Sequence, residues 1–193
     1  MSMTREQWLA EVEHRIRINE GCCATAYRDS VNVLTIGIGF NLERGDAHSA
    51  LATCGVPAGN VPNVLNGTLP LSDAQINALF LYSFAPIESE ARASLDDGIY
   101  DALTDARRFV LCDLVFNLGS GGWSEFVNTR ALIAQAQRAK AAGAADAHDL
   151  FIQASSNLAL SAWYQQVGNR ARRDVAMLRE GVWCIATGDG SDI

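Results

Sequence analysis

Two carboxylates and a hydroxyl lie close together in the stretch Glu20 to Phe40, EGCCATAYRDSVNVLTIGIGF: Glu20, Asp29 nine positions on, and Thr35 six further. Such groups suit general acid–base work, in which one carboxyl gives up a proton and a second, ionised group acts through water. From Val33 the sequence alternates, with Leu34, Ile36, Ile38 and Phe40 on one face of a strand and Thr35, Gly37 and Gly39 on the other. The first face is apolar enough to pack. The second is nearly bare, one hydroxyl among glycines, and strands give up side chains mostly at bulges or where something approaches the backbone closely. Asp29-Ser30-Val31-Asn32 supplies turn residues between Ala26-Tyr27-Arg28 and the alternating run, so a β-hairpin is expected. An acid at a helix terminus, an acid in a turn and a hydroxyl on the bare face can then line one cleft. Taken singly, Glu20 is equally a solvated helix-end acid and Asp29 a turn former, and the spacing alone is weak support.

The elements that must hold these groups are legible around them. Thr4-x-x-Gln7 is a capping box before Trp8, Leu9, Val12 and Ile16, which share one helical face; that helix is expected to run to about Asn19 and stop at Gly21. Residues 41–70 read as loop with a short helix near Ala47–Thr53. Ser72-x-x-Gln75 caps a long helix carrying Ile76, Leu79, Phe80, Phe84, Ile87 and Ala91, with Pro86 inside it. Behind Thr104, the run Phe109 to Leu118 is apolar nearly all round and belongs in the centre of a second lobe; Gly119 to Gly122 ends it. Helices are expected over Trp123–Gln137, Ala144–Ser155, Leu158–Gln165 and Asn169–Glu180, the last closed by Gly181. The fold class expected is α+β, one domain over residues 1–186. It comprises a hairpin lobe at about 13–75, a connecting helix at 76–98, and a larger all-helical lobe from 1–12 with 99–186; residues 187–193 form a disordered tail.

Composition excludes several classes. With 193 residues, 49% hydrophobic and 19% charged, the chain can bury a substantial core and is not a disordered one. No apolar run reaches the length of a membrane span, and the charged N-terminus shows no secretory signal. A net charge of −7 disfavours nucleic acid. Five cysteines without framework spacing and three scattered histidines give neither a disulfide scaffold nor a zinc site, so no metal or cofactor is expected. Cys22 and Cys23 adjoin Glu20, but no histidine lies nearby in sequence to activate them, which favours a packing role.

Three blocks resemble the phage-type lysozymes, the endolysin muramidases of glycoside hydrolase family 24, and most closely those of the T-even phages. They are Arg17-Ile-Asn-Glu-Gly through Thr35-Ile-Gly-Ile-Gly39; Ala106-Arg-Arg through Val115-Phe-Asn-Leu-Gly119 with Phe126-Val-Asn128; and Asn157-Leu-Ala, Trp163-Tyr-Gln-Gln and Asn169-Arg-Ala-Arg-Arg173. The resemblance places the family's Glu, Asp and Thr on Glu20, Asp29 and Thr35, and implies a lysozyme-like fold and hydrolysis of the β-1,4 bond between N-acetylmuramic acid and N-acetylglucosamine. The residue types agree: a carboxyl held protonated by desolvation, as at Glu20 near the lobe interface, donates to the leaving oxygen, while a wetter Asp29, with Thr35, binds water. An inverting site of this kind separates its carboxyls by roughly 6.5–9.5 Å, against about 5–5.5 Å in a retaining one. For saccharide, the resemblance points to Asn41, Phe116, Asn117, Asn128, Thr129, Asn157 and Arg170, although Phe116 in such a helix is more often core. Arg170, Arg172, Arg173 and Arg179 suit peptide-stem carboxylates or simply a solvated helix face.

The implied partner is the peptidoglycan glycan strand, reached from the bacterial host's cytoplasm through a holin, with a monomer expected and no stable membrane insertion. A muramidase effector of bacterial antagonism, a lytic transglycosylase and an inactive wall-binding module remain as alternatives. Departures from the family pattern are Phe40 and Ser83, where a histidine and its carboxylate partner usually stand, Ala162 in place of an arginine, extra residues around 54–66 and 136–150, and an acidic overall charge.

Overall fold

The computed structural model describes residues 3–96 and 98–184, so the expected tail at 187–193 lies outside the described residues. The chain divides into two compact units: an N-terminal one, Leu9–Pro86, and a C-terminal one made of the residues after Pro86 together with those before Leu9. Helices predominate, and a small three-stranded antiparallel sheet lies near the N-terminus, giving the α+β class expected.

In the N-terminal unit, helix α1 (Arg5–Glu20) starts where its sequence supplies backbone partners. Gln7 N donates to Thr4 Oγ1 at 3.2 Å and Thr4 N to Gln7 Oε1 at 3.0 Å, the reciprocal capping box. Val12 and Ile16 turn inward and are fully buried. Strand β1 (Cys23–Arg28) pairs with β2 (Leu34–Gly37), which pairs with β3 (Phe40–Asn41), in spatial order β1-β2-β3. The single alternating strand expected over Val33–Phe40 is thus two strands and a turn. Gly37 and Gly39 adopt φ of 64° and 73°, a region side chains avoid, and there the backbone reverses. Nor is the glycine face bare: a Cβ at Gly37 would meet Ile76 Cγ2 at 3.8 Å and Leu79 Cδ2 at 3.9 Å. Helix packing, not a ligand, makes the close approach there.

Helix α2 (Ala47–Thr53) matches its expected range. The extra segment around 54–66, read as loop, instead forms a 3₁₀ turn (Ala58–Asn60) and α3 (Val61–Leu65), with Val61 and Val64 buried and Pro62 in the first turn. Proline there suits a helix start, a signal masked by the density of turn residues. Helix α4 (Asp73–Ala93) opens on the second capping box, Gln75 N to Ser72 Oγ at 3.3 Å and Ser72 N to Gln75 Oε1 at 3.0 Å.

In the C-terminal unit, a short α5 (Ile99–Ala102), missed in sequence, precedes α6 (Asp105–Ser124). The middle of α6 is buried on all sides from Phe109 to Val115, and non-helical Gly119 kinks it. Around it lie α7 (Val127–Ala141), α8 (Ala147–Ala159), α9 (Ala162–Val167) and α10 (Asn169–Glu180), with α7 on α8, α8 on α10, and α10 on α6. Helix α10 keeps its expected bounds because a cation closes it. Arg107 Nε donates to Leu178 O at 2.8 Å and Nη2 to Arg179 O at 2.7 Å, satisfying last-turn carbonyls that the helix leaves open. The guanidinium also lies 3.3 Å from the Phe151 ring centroid.

That closure leaves no room at Gly181, whose φ is 73° and where a Cβ would stand 2.8 Å from Arg107 Cζ. Gly181→Ala is therefore expected to destabilise the chain by about 1–3 kcal/mol. Urea unfolding checks it, and an unchanged midpoint would mean that Arg107 does not hold this helix end.

Candidate active site

The hairpin turn carries Asp29 because its side chain replaces a missing backbone partner. Val31 N and Val33 N donate to Asp29 Oδ1 at 3.0 and 2.8 Å, and Asp29 N donates to Val33 O at 3.0 Å. Asn32, at φ 66°, completes the turn, its N donating to Asp29 O at 3.0 Å. Both side-chain bonds fall on one oxygen; among the described residues Oδ2 takes none. The turn is braced from outside by Arg28, whose Nη1 donates to Asn32 O at 2.6 Å and to Glu43 Oε1 at 3.0 Å.

Strand register then builds a row. Thr35 on the central strand pairs with Tyr27 on one side and Asn41 on the other. Directly opposed residues in antiparallel strands share a face, so these three side chains stand side by side. Thr35 is the floor of the row, 4% exposed, its hydroxyl donating to Val33 O at 3.1 Å. Asn41 Oδ1 accepts Glu43 N at 2.7 Å, which fixes its carboxamide. Tyr27 was overlooked in sequence, where it read only as part of a strand; it is 38% exposed.

Glu20 is the last residue of α1, followed by Gly21, whose N donates to Arg17 O at 2.9 Å. It is solvent-exposed, which corrects the expectation that packing at the helix end desolvates it. Partial burial pushes the Tyr27 phenol upward from its ordinary range, and the charges of Cys23, Asp29, Cys22 and Glu20 push it further in turn. Cys22 is exposed, and Cys23 Sγ donates to Thr25 O at 3.1 Å. Among the described residues no group of acids, histidines and cysteines could hold a metal ion.

The remaining candidates lie in the C-terminal unit. Asn117 is exposed, its Oδ1 accepting Trp163 Nε1 at 2.7 Å. Asn128 is exposed in the first turn of α7. Thr129 is fully buried and donates to Asn157 Oδ1 at 2.7 Å, so it reaches a ligand only through that carboxamide. Phe116 is half-buried rather than core, with Arg170 Cζ 6.0 Å from its ring centroid.

Arg170 is gripped from α6. Its Nε and Nη2 donate to Asp113 Oδ2 and Oδ1 at 2.7 and 2.9 Å, a two-pronged pair with Asp113 fully buried. Asp174, one turn along α10 and 1% exposed, joins it. Burial first, then the charge of Asp113 and a hydrogen bond with it, hold the Asp174 carboxyl well above the usual range, against the pull of Arg170 and Arg173. Its Oδ2 is buried without a hydrogen-bond partner. Phe40 is 5% exposed and Ser83 Oγ donates to Leu79 O at 3.0 Å, so neither position strands a polar group.

A carboxyl whose folded pKa is raised holds its proton in the folded chain after the unfolded chain has lost it. Its contribution to stability is complete below the unfolded value, about 3.9, and drains away as pH rises toward the folded value, by up to about 1.4 kcal/mol per pH unit. Asp174→Asn keeps a donor to Asp113 without that proton. The stability of wild type relative to this variant is expected to fall as pH rises above 4, in denaturation series at successive pH values; a constant difference would show that Asp174 does not hold the proton.

The pattern of two units, a helix-end acid, a turn acid and a threonine in the row beside it meets an independent finding in the sequence itself. The phage lysozyme family matches residues 17–173 of the 193, a span that contains Glu20, Asp29, Thr35 and Arg170, and the chain therefore belongs to the phage lysozyme family.

Proposed function

We propose that this chain hydrolyses the β-1,4 bond between N-acetylmuramic acid and N-acetylglucosamine in peptidoglycan, with inversion at the anomeric carbon, as an endolysin of the family 24 type. Glu20 acts as general acid, giving its proton to the leaving oxygen. Exposed in the free chain, it takes its desolvation from the glycan that covers it. Asp29 acts as general base. Its Oδ1 is committed to the turn, and Oδ2 is the oxygen that takes a proton from the attacking water. Thr35 is cross-strand neighbour to two site residues and, through Val33, is joined to the turn that holds Asp29; its hydroxyl oxygen keeps lone pairs for that water. A water held between the carboxyls is what distinguishes this scheme from a double displacement.

The observation that carries the reading is the geometry of the hairpin: its turn holds Asp29 by one carboxylate oxygen, and its register sets Thr35 beside Tyr27 and Asn41. Family membership supports the peptidoglycan-lytic chemistry. Asn41 is the saccharide contact of the N-terminal unit. Phe116, Asn117, Asn128, Asn157 and Arg170 are those of the C-terminal unit, Thr129 acting through Asn157. Access to the wall follows holin-dependent release from the host cytoplasm. No helix among the described residues is long and apolar enough to cross a membrane.

Purified peptidoglycan digested with the protein is expected to lose turbidity and to yield reducing muramic ends without the anhydro form, by mass spectrometry. Glu20→Gln should lower the rate by roughly 10²–10⁴-fold, as loss of a positioned general acid does. Anhydro ends would replace the hydrolase with a transglycosylase, and walls left intact by wild-type protein would reduce the chain to a binding module.

A further inference from the structure

The phenol of Tyr27 is not used by the scheme above, yet the sheet delivers it to the same place. It stands on edge strand β1 directly opposite Thr35, on the face that also carries Asn41. The residue is 38% exposed, while most aromatic residues of the chain are buried or half-buried. Its hydroxyl makes no hydrogen bond to the protein among the described residues. The neighbouring cation, Arg28, is engaged through Nη1 with Asn32, on the turn, and with Glu43. A half-open aromatic with an unengaged hydroxyl, next to two acids, has the amphipathic form that polar ligands with apolar faces require.

We propose that Tyr27 contacts the substrate: its ring forms a wall against the C–H face of an amino sugar next to the scissile bond, and its hydroxyl donates a hydrogen bond to that sugar. Sugars suit this surface because they present axial hydrogens to a ring and hydroxyl or acetamido oxygens to a donor. Partial burial, with the nearby carboxylates of Asp29 and Glu20 adding to it, disfavours the phenolate, so the group serves as a donor and not as a second base. Being exposed on an edge strand, Tyr27 carries little of the packing, which separates its role from a structural one.

The inference rests on the muramidase reading, and the experiment separates the two. Kinetics on soluble peptidoglycan fragments are measured for wild type, Tyr27→Phe and Tyr27→Ala, and fragment binding by calorimetry in the slow Glu20→Gln background with and without each change. Tyr27→Phe is expected to weaken binding roughly three- to tenfold, the range of one hydrogen bond, and Tyr27→Ala by more, with unfolding midpoints unchanged. The loss should appear in KM as well as kcat, because the contact is already made with bound substrate. If Tyr27→Ala proves unstable, Tyr27→Phe decides alone. Variants that bind and cleave within twofold of their parents overturn this proposal while leaving the muramidase reading in place. Fragments that wild type does not cleave overturn both.

Discussion

The register of one short strand is the constraint on which the site depends. Thr35 lies on β2 between β1 and β3, and its pairing with Tyr27 and Asn41 decides which side chains share its face. A slip of one residue on either side would turn every partner to the opposite face. The register is pinned from both ends. At one end the Asp29 carboxylate binds the amides of Val31 and Val33, so the turn can close at only one point. At the other the left-handed glycines Gly37 and Gly39 reverse the chain into β3. The same carboxylate is thus part of the scaffold through one oxygen and open to chemistry through the other. In the proposed scheme, this division lets a turn residue be held tightly and still serve as a base.

The two units place polar groups by different means. In the N-terminal unit the site residues are oriented by backbone donors and acceptors: Val33 O receives Thr35, and Glu43 N donates to Asn41. In the C-terminal unit charged groups are oriented by burial. Arg170 is forked onto fully buried Asp113, and Asp174 joins as a proton-holding third member. Burying ions costs several kcal/mol each unless geometry repays it, and an apolar replacement is often neutral or better for stability. The structure repays part through the two-pronged pair and leaves Asp174 Oδ2 unpaired. Fixing one guanidinium in place is the function that such a cluster performs well.

Much of the fold was readable because its signals were local. The capping boxes at Thr4 and Ser72 and the glycine at 181 set helix ends to within a residue. The illegible parts required knowledge of partners distant in sequence. The TIGIG run alternates as a strand should, but its glycines serve a reversal, and the apolar contacts made at Gly37 come from α4 some forty residues away. The stretch 54–66 is crowded with Gly, Pro and Asn, which hid α3. At the site, Glu20, Asp29 and Thr35 were visible as residue types at suggestive spacing. Their relation to Tyr27 was not, because register is fixed by tertiary pairing. Thr129 and Asp174 were equally opaque: one was named as a sugar contact and is buried, the other drew no notice and is a buried acid.

The proposed reaction is a single displacement by a water that Asp29 activates. Proton NMR during cleavage of a soluble glycan reads it directly, since the anomeric proton of the new reducing end can be observed before mutarotation. Inversion requires the first product formed to be the α-anomer. A β-anomer at the earliest times would mean that a covalent or ion-pair intermediate is attacked from the opposite side, and the water assigned to Asp29 and Thr35 would have no place in the reaction.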